Sequence, residues 1–184
     1  MLGYPFRPLL QAIEAEGGAA AVAEVRRRAD VPVDRRYRMS EIYADAECQR
    51  LLTAAGEVLG LHDEEICDRW AAAFLKDTQK RFPAWYAMCS TARALLEQHP
   101  EIHNGFAAGL SDPEASRAVT QKFRIEKQGR ELVVHYRSPN RLCRLYRALA
   151  RRVIAHYGDV AEVEETRCLH RGDPECEFHI HWTS

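Results

Sequence analysis

The sequence predicts an α+β fold. An N-terminal helical subdomain covers residues 1–110, and a C-terminal subdomain over 111–184 combines an antiparallel sheet with one long helix. Three observations predict it. Apolar residues recur at helical spacing through the first part, they alternate with polar residues from about residue 119, and a single long amphipathic stripe interrupts that alternation. No Pro-, Gly- or Ser-rich linker and no internal repeat divides the 184 residues, so they read as one domain built from two subdomains.

The elements follow in order. Leu9, Leu10 and Ile13, then Ala20, Val22 and Val25, mark two helices separated by Gly17-Gly18. Loops follow at Val31-Pro32-Val33-Asp34 and Met39-Ser40. From Asp45 to Leu59, the residues Leu51, Leu52, Ala55 and Val58 share one face, and Gly60 closes the helix. His62-Asp63-Glu64-Glu65 sets acids in the first turn of the next helix, where the helix dipole favours them, and Ile66, Trp70 and Phe74 form its apolar face. Arg81-Phe82-Pro83-Ala84-Trp85-Tyr86 is an aromatic turn into a helix running through Leu95 and Leu96. His99 then fits an N-cap and Pro100 the first helical position. In the second subdomain Phe123 and Ile125 pair with Leu132, Val134 and Tyr136 across the turn Lys127-Gln128-Gly129-Arg130. A helix from about Asn140 to Tyr157 carries Leu142, Leu145, Leu149 and Val153 on one stripe and ends at Gly158-Asp159. Residues 160–170 and 175–182 read as two more strands, joined by Arg171-Gly172-Asp173-Pro174.

Composition narrows the function by exclusion. A formal net charge of -1 gives no electrostatic reason for binding nucleic acid or an anionic membrane. No apolar run reaches the length of a membrane span, and the N-terminus lacks the basic-then-apolar order of a signal peptide, so a cytoplasmic location is expected. His99 and His103 stand four apart with Glu101 near, but no His-Glu-x-x-His, serine elbow or phosphate loop is present, and the chain does not read as an enzyme.

Two stretches carry candidate chemistry. His103 closes the helical run His99-Pro100-Glu101-Ile102-His103, and a strand further on ends in Tyr136-Arg137-Ser138-Pro139-Asn140-Arg141. The first offers an imidazole to a metal; the second offers hydroxyl and guanidinium donors to carboxylates. Taken singly, a helix histidine is more often a surface hydrogen-bonding residue. The six cysteines divide. Cys48, Cys67 and Cys89 sit in apolar helical patterns and read as small buried hydrophobes. Cys168 and Cys176 flank a turn symmetric about Gly172, and Cys143 at the start of the long helix can close on them. Three thiolates suit Zn2+, which takes four ligands; alternation makes His170 the fourth, with the Glu165 carboxylate also possible. A Cys168–Cys176 redox pair and plain buried thiols remain open beside it.

The order and spacing of these pieces resemble the haem nitric oxide/oxygen binding (H-NOX) family. The likeness runs from Met1 and Gly3 through the Glu64–Trp70 helix start, the Phe82-Pro83 turn, Glu101-Ile102-His103 and the segment 133–139 to the closing cysteines. It implies a haem b pocket with His103 as the iron ligand. Tyr136 and Ser138 would hold a haem propionate as the first two members of a Tyr-x-Ser-x-Arg motif. Position 140 is Asn140 instead of that arginine, which leaves Arg141 as the neighbouring cation. Nine positions after Tyr136, where oxygen-binding members carry a tyrosine, stands Leu145; Tyr146 beside it lies on another helical face, and Pro5 and Leu9 are apolar too. The expected ligand is therefore nitric oxide and not O2. Ligand binding would strain the bond between iron and His103 and shift its helix, with Gly105 and Gly109 easing the motion or merely ending the helix. Some members carry a zinc site of three Cys and one His near the C-terminus, the histidine falling where Glu165 stands here. A separate histidine kinase or diguanylate cyclase is the implied output partner. The alternative keeps the fold without haem, as a zinc/thiol redox or small-ligand sensor; vinyl-reductase-like sensor domains end in a similar Cys-x7-Cys.

Overall fold

A computed structural model describes residues 1–183. Helices α1 (Phe6–Arg28), α2 (Asp45–Leu59) and α3 (Asp63–Arg81) pack together through Phe6, Leu9, Ile13, Leu51 and Trp70, all fully buried. The expected break at the paired glycines is a kink within one helix: Gly18 adopts φ 70°, which only glycine takes without strain. The acidic start of α3 forms as expected, with the His62 amide donating to Glu65 Oε2 at 2.9 Å.

The aromatic turn leads into two short helices rather than one, α4 (Pro83–Ala87) and α5 (Ala92–Glu97). The Thr91 hydroxyl accepts from the Ala94 amide at 3.2 Å and so starts a new helix. Next comes α6 (His99–Ala107), in which His99 is the first helical residue and Gln98 the cap, one position earlier than the sequence suggested. Helix α7 (Pro113–Thr120) was not foreseen; Asp112 caps it by accepting from the Glu114 amide at 2.9 Å.

Strands β1 (Phe123–Gln128) and β2 (Glu131–Tyr136) form the expected hairpin. Helix α8 (Cys143–Tyr157) follows, then β3 (Ala161–Arg167), a single 3-10 turn at Leu169–Arg171, and β4 (Cys176–Trp182). The four strands are antiparallel in the order β1-β2-β4-β3. One face of the sheet buries Leu132, Val134, Phe178 and Ile180 against α8, α5 and part of α6, making a second core. Three arginines of α8 tie it to acids of α3: Arg144 to Asp63, Arg147 to Glu64 at 2.6 Å and Arg152 to Asp68 at 2.6 Å. Helix α8 is thus the shared wall of the two cores. No helix among the described residues is long and apolar enough to cross a membrane.

Gly3 explains the Met-x-Gly opening. Its amide donates to the Glu41 carbonyl at 2.8 Å, and a Cβ there would fall 2.2 Å from the Arg38 carbonyl oxygen and 2.5 Å from the Tyr43 ring. Gly3→Ala is therefore expected to cost about 1–3 kcal/mol by overpacking. Denaturant unfolding checks it, and an unchanged midpoint contradicts the close approach.

Candidate functional site

A largely apolar cavity opens where the two cores meet. One wall belongs to the sheet core. It is built from His99 and His103, one turn apart on α6, together with Phe123 and Tyr146. The Phe123 ring lies 4.9 Å from that of His103 and 5.2 Å from that of Tyr146, and Tyr146 lies 5.6 Å from His99. The opposite wall, Pro5, Phe74, Leu145 and Leu149, belongs to or packs on the helical core. Leu145 and Leu149 sit one turn apart on α8, whereas Tyr146 is rotated by roughly 100° toward the histidines. Tyr146 does line the cavity, but on the imidazole side. Leu9 does not line it; it is fully buried in the helical core. At about 170 Å³ the cavity is slimmer than the pockets of about 300–1,000 Å³ that hold drug-sized ligands.

The histidines are the unusual groups. The Nδ1 atoms of both are buried without a hydrogen-bond partner. Burial pushes the His99 pKa down to about 4 and that of His103 down to about 3, the latter helped by the positive charge of Lys122. Both rings are therefore neutral at physiological pH. The Tyr146 hydroxyl is also buried and unpartnered, and burial raises its pKa. Other hydroxyls in the lining are committed: Tyr4 donates to Asp77 at 3.0 Å, and Tyr86 shares a hydrogen bond with Thr78 at 2.5 Å.

The neutral histidines dictate a pH response. Each has a folded pKa below its ordinary value of 6.5, so the unfolded chain binds protons that the folded chain does not. Their contribution is complete above pH 6.5 and is lost as the pH falls through about 4 for His99 and about 3 for His103. The metal-free protein is expected to melt at progressively lower temperature across that window, and a His99→Leu/His103→Leu variant to show a shallower dependence. Equal slopes in the two proteins would contradict buried neutral rings.

At the cavity edge the Tyr136 hydroxyl donates to Asn140 Oδ1 and accepts from the Leu142 amide at 3.0 Å. The Asn140 carbonyl in turn accepts from Gln49 of α2, so residue 140 is buried as a joint between the two cores. Ser138 is buried beside it, while Arg141 is not part of this group. Arg141 takes a left-handed φ of 49°, points into solvent, and gives its carbonyl to His170 Nε2 at 2.9 Å. Of the three residues the sequence puts forward here, Tyr136 lines the cavity, Ser138 is buried beside it and Arg141 stands outside the lining. Lys122 and His99 line the cavity without having been foreseen as site residues. For His99 the signal was its i,i+4 relation to His103; for Lys122 there was none.

The second site is a thiolate cluster. One ligand atom from each of Cys143, Glu165, Cys168 and Cys176 lies within 4.8 Å of the others. The sulfurs of Cys143 and Cys168 are 3.8 Å apart, and the Leu169 amide donates to Cys176 Sγ at 3.2 Å. Glu165 Oε1 is buried without a hydrogen-bond partner. His170 is not part of this group: it lies in the 3-10 turn Leu169–Arg171, where its Nε2 bonds the Arg141 carbonyl at 2.9 Å. Alternation from Cys168 does not carry to His170 because the chain leaves the strand for that turn, and a register shift between Glu165 and Arg167 breaks the alternation that would set Glu165 and Cys168 on opposite faces. All six cysteines are free thiols, and hydrogen bonding to Cys176 together with burial pushes Cys143 up. Three buried thiols and the Glu165 carboxylate, whose Oε1 is unpartnered while its Oε2 lies 3.6 Å from Arg147, fit a tetrahedral Zn2+.

A family model described as Haem-NO-binding matches residues 3–165. Among solved structures, the chain is similar to an H-NOX protein from S. oneidensis in the Fe(II)NO ligation state, at 19% identity over 100% of each chain with a TM-score of 0.82. It is similar to an oxygen-binding H-NOX domain related to soluble guanylate cyclases, at 16% identity over 100% of this chain and 96% of that one, with a TM-score of 0.79. It is also similar to an H-NOX protein from K. algicida, at 18% identity over 100% and 97% of the two chains, with a TM-score of 0.77. No curated protein matches the sequence.

Proposed function

The chain belongs to the Haem-NO-binding family, the haem-binding gas-sensor domains also called H-NOX, and on that premise we propose that it binds haem b through His103 and responds to nitric oxide rather than O2. The observation that carries this is His103 itself: a neutral imidazole, buried in an apolar cavity, with Nδ1 unsatisfied. Leaving such a nitrogen without a partner costs about 1–3 kcal/mol. A metal bound through that nitrogen would offset this, and binding through either nitrogen needs the ring neutral, which burial already provides. Bound haem iron supplies an open coordination position for a diatomic gas. On this reading His103 fixes which side of the cavity is filled, and the edge near Tyr136 and Ser138 is the end that would receive a propionate.

Selectivity rests on the opposite wall. A polar O2 adduct is held by a distal hydrogen-bond donor. Pro5, Phe74, Leu145 and Leu149 offer none, and the Tyr146 ring lies beside that of His99. The arrangement also supports a route outward. The walls belong to different cores, so any displacement of His103 along α6 changes how those cores meet at α8. The listener we propose, on family membership alone, is a separate signalling protein such as a histidine kinase or a diguanylate cyclase.

We further propose that Cys143, Cys168, Cys176 and Glu165 hold a structural Zn2+ that ties the start of α8 to β3 and β4. The orphaned Glu165 oxygen favours this over a pair of redox thiols.

The absorption spectrum of the protein after reconstitution with haem tests the central reading. A Soret band is expected, shifted in the ferrous protein by NO and by CO and unchanged by air-level O2 before oxidation. Absence of the band removes the haem reading, and a stable oxygenated spectrum removes the selectivity.

A further inference from the structure

Seating haem b in this cavity brings two carboxylates to its edge, and a carboxylate leaving water needs a compensating charge. The motif arginine is absent because position 140 is Asn140, and Arg141 faces solvent. One Lys or Arg side chain does line the cavity, that of Lys122. Its main-chain carbonyl accepts from the Arg137 amide at 3.0 Å, which pins Lys122 beside the Tyr136–Ser138 segment. The next residue, Phe123, stacks at 4.9 Å from the His103 ring and 5.1 Å from the Tyr136 ring. Lys122 is therefore held at the junction of the imidazole wall and the hydroxyl edge. Among the described residues no carboxylate pairs with it. The acid that acts on it is Asp45, whose Oδ1 is already ion-paired with the Met1 ammonium at 2.9 Å. Burial lowers the Lys122 pKa, the mark of an ammonium kept from water without a bound anion.

Resting on the haem reading, we propose that Lys122 is the residue that binds a haem carboxylate, supplying the charge that Asn140 does not. The guanidinium fork of the motif is replaced by a point charge from a different element, with the Tyr136–Asn140 pair left to join the two cores.

The test compares the wild type with Lys122→Met and Lys122→Arg, each loaded with haem or with haem dimethyl ester, whose carboxylates are capped. Release to excess apomyoglobin is followed by the Soret band. Lys122→Met is expected to release haem about 10- to 100-fold faster, the worth of one charge-assisted hydrogen bond. Lys122→Arg should stay within a few-fold of wild type. With the diester, wild type and Lys122→Met should release alike. The haem-free Lys122→Met protein should melt no lower than wild type, because it loses only an unpaired buried cation; Lys122→Gln serves if the methionine variant does not fold. Equal release of haem by wild type and variant overturns the proposal, as does a variant effect that persists with the diester, which would mark a packing role. If the wild type gives no Soret band with either compound, the haem reading itself falls, a result distinct from both.

Discussion

Replacing His103 with Gly is expected to abolish axial coordination of haem iron while leaving the domain folded, and millimolar imidazole is expected to restore it. The variant removes a ring that makes no hydrogen bond through its buried Nδ1, so the fold loses packing without losing a polar partner. Glycine inside α6 costs about 1 kcal/mol of helix propensity, and the vacated volume adds a cavity term of similar size. Those losses are tolerable for a domain with two cores, and the emptied space is the shape of the added imidazole. His99 is the natural competitor, since it shares the wall, the burial and the orphaned Nδ1. His99→Leu is therefore the paired variant, and it should keep the iron ligand. An unchanged spectrum in His103→Gly together with a lost one in His99→Leu would move the ligand by one helical turn.

The second large effect is expected at the thiolate cluster. Cys176→Ser should lose bound zinc and melt about 10 °C lower. The figure follows from linkage: a site saturated a thousandfold above its Kd contributes about 4 kcal/mol, and each 1 kcal/mol moves Tm by roughly 2–4 °C at this chain length. Glu165→Gln should weaken the site less, and His170→Ala should leave the metal content unchanged, since His170 stands outside the group of four ligand atoms. Metal analysis and melting curves check all three. A wild type without zinc, or a His170→Ala protein that loses it, contradicts the ligand set.

The fold was legible wherever local chemistry decides it. Gly60, Gly158 and the acidic turn before Ile66 end or begin helices for reasons that reside in two or three residues. Asp112-Pro113 carried the same kind of signal for α7, although no long apolar stripe drew attention to it. The site was legible in its ingredients and not in its assembly. Period-two counting failed twice, at the irregular position in β3 and where the chain leaves the strand for the 3-10 turn that holds His170, and together these reversed the choice between Glu165 and His170. Arg141 was a reasonable stand-in for the missing motif arginine until its left-handed backbone turned it outward. Lys122 precedes a strand and resembles any solvated lysine; only the meeting of two cores places it in a cavity.

The claim on which the rest depends is that one buried, neutral imidazole on α6 binds iron. Resonance Raman spectroscopy of the ferrous, haem-loaded protein measures that bond directly. The account predicts an iron–imidazole stretch that shifts on 15N labelling of histidine, persists in His99→Leu and vanishes in His103→Gly. The same band in His103→Gly, or no histidine-sensitive band in the wild type, would contradict it.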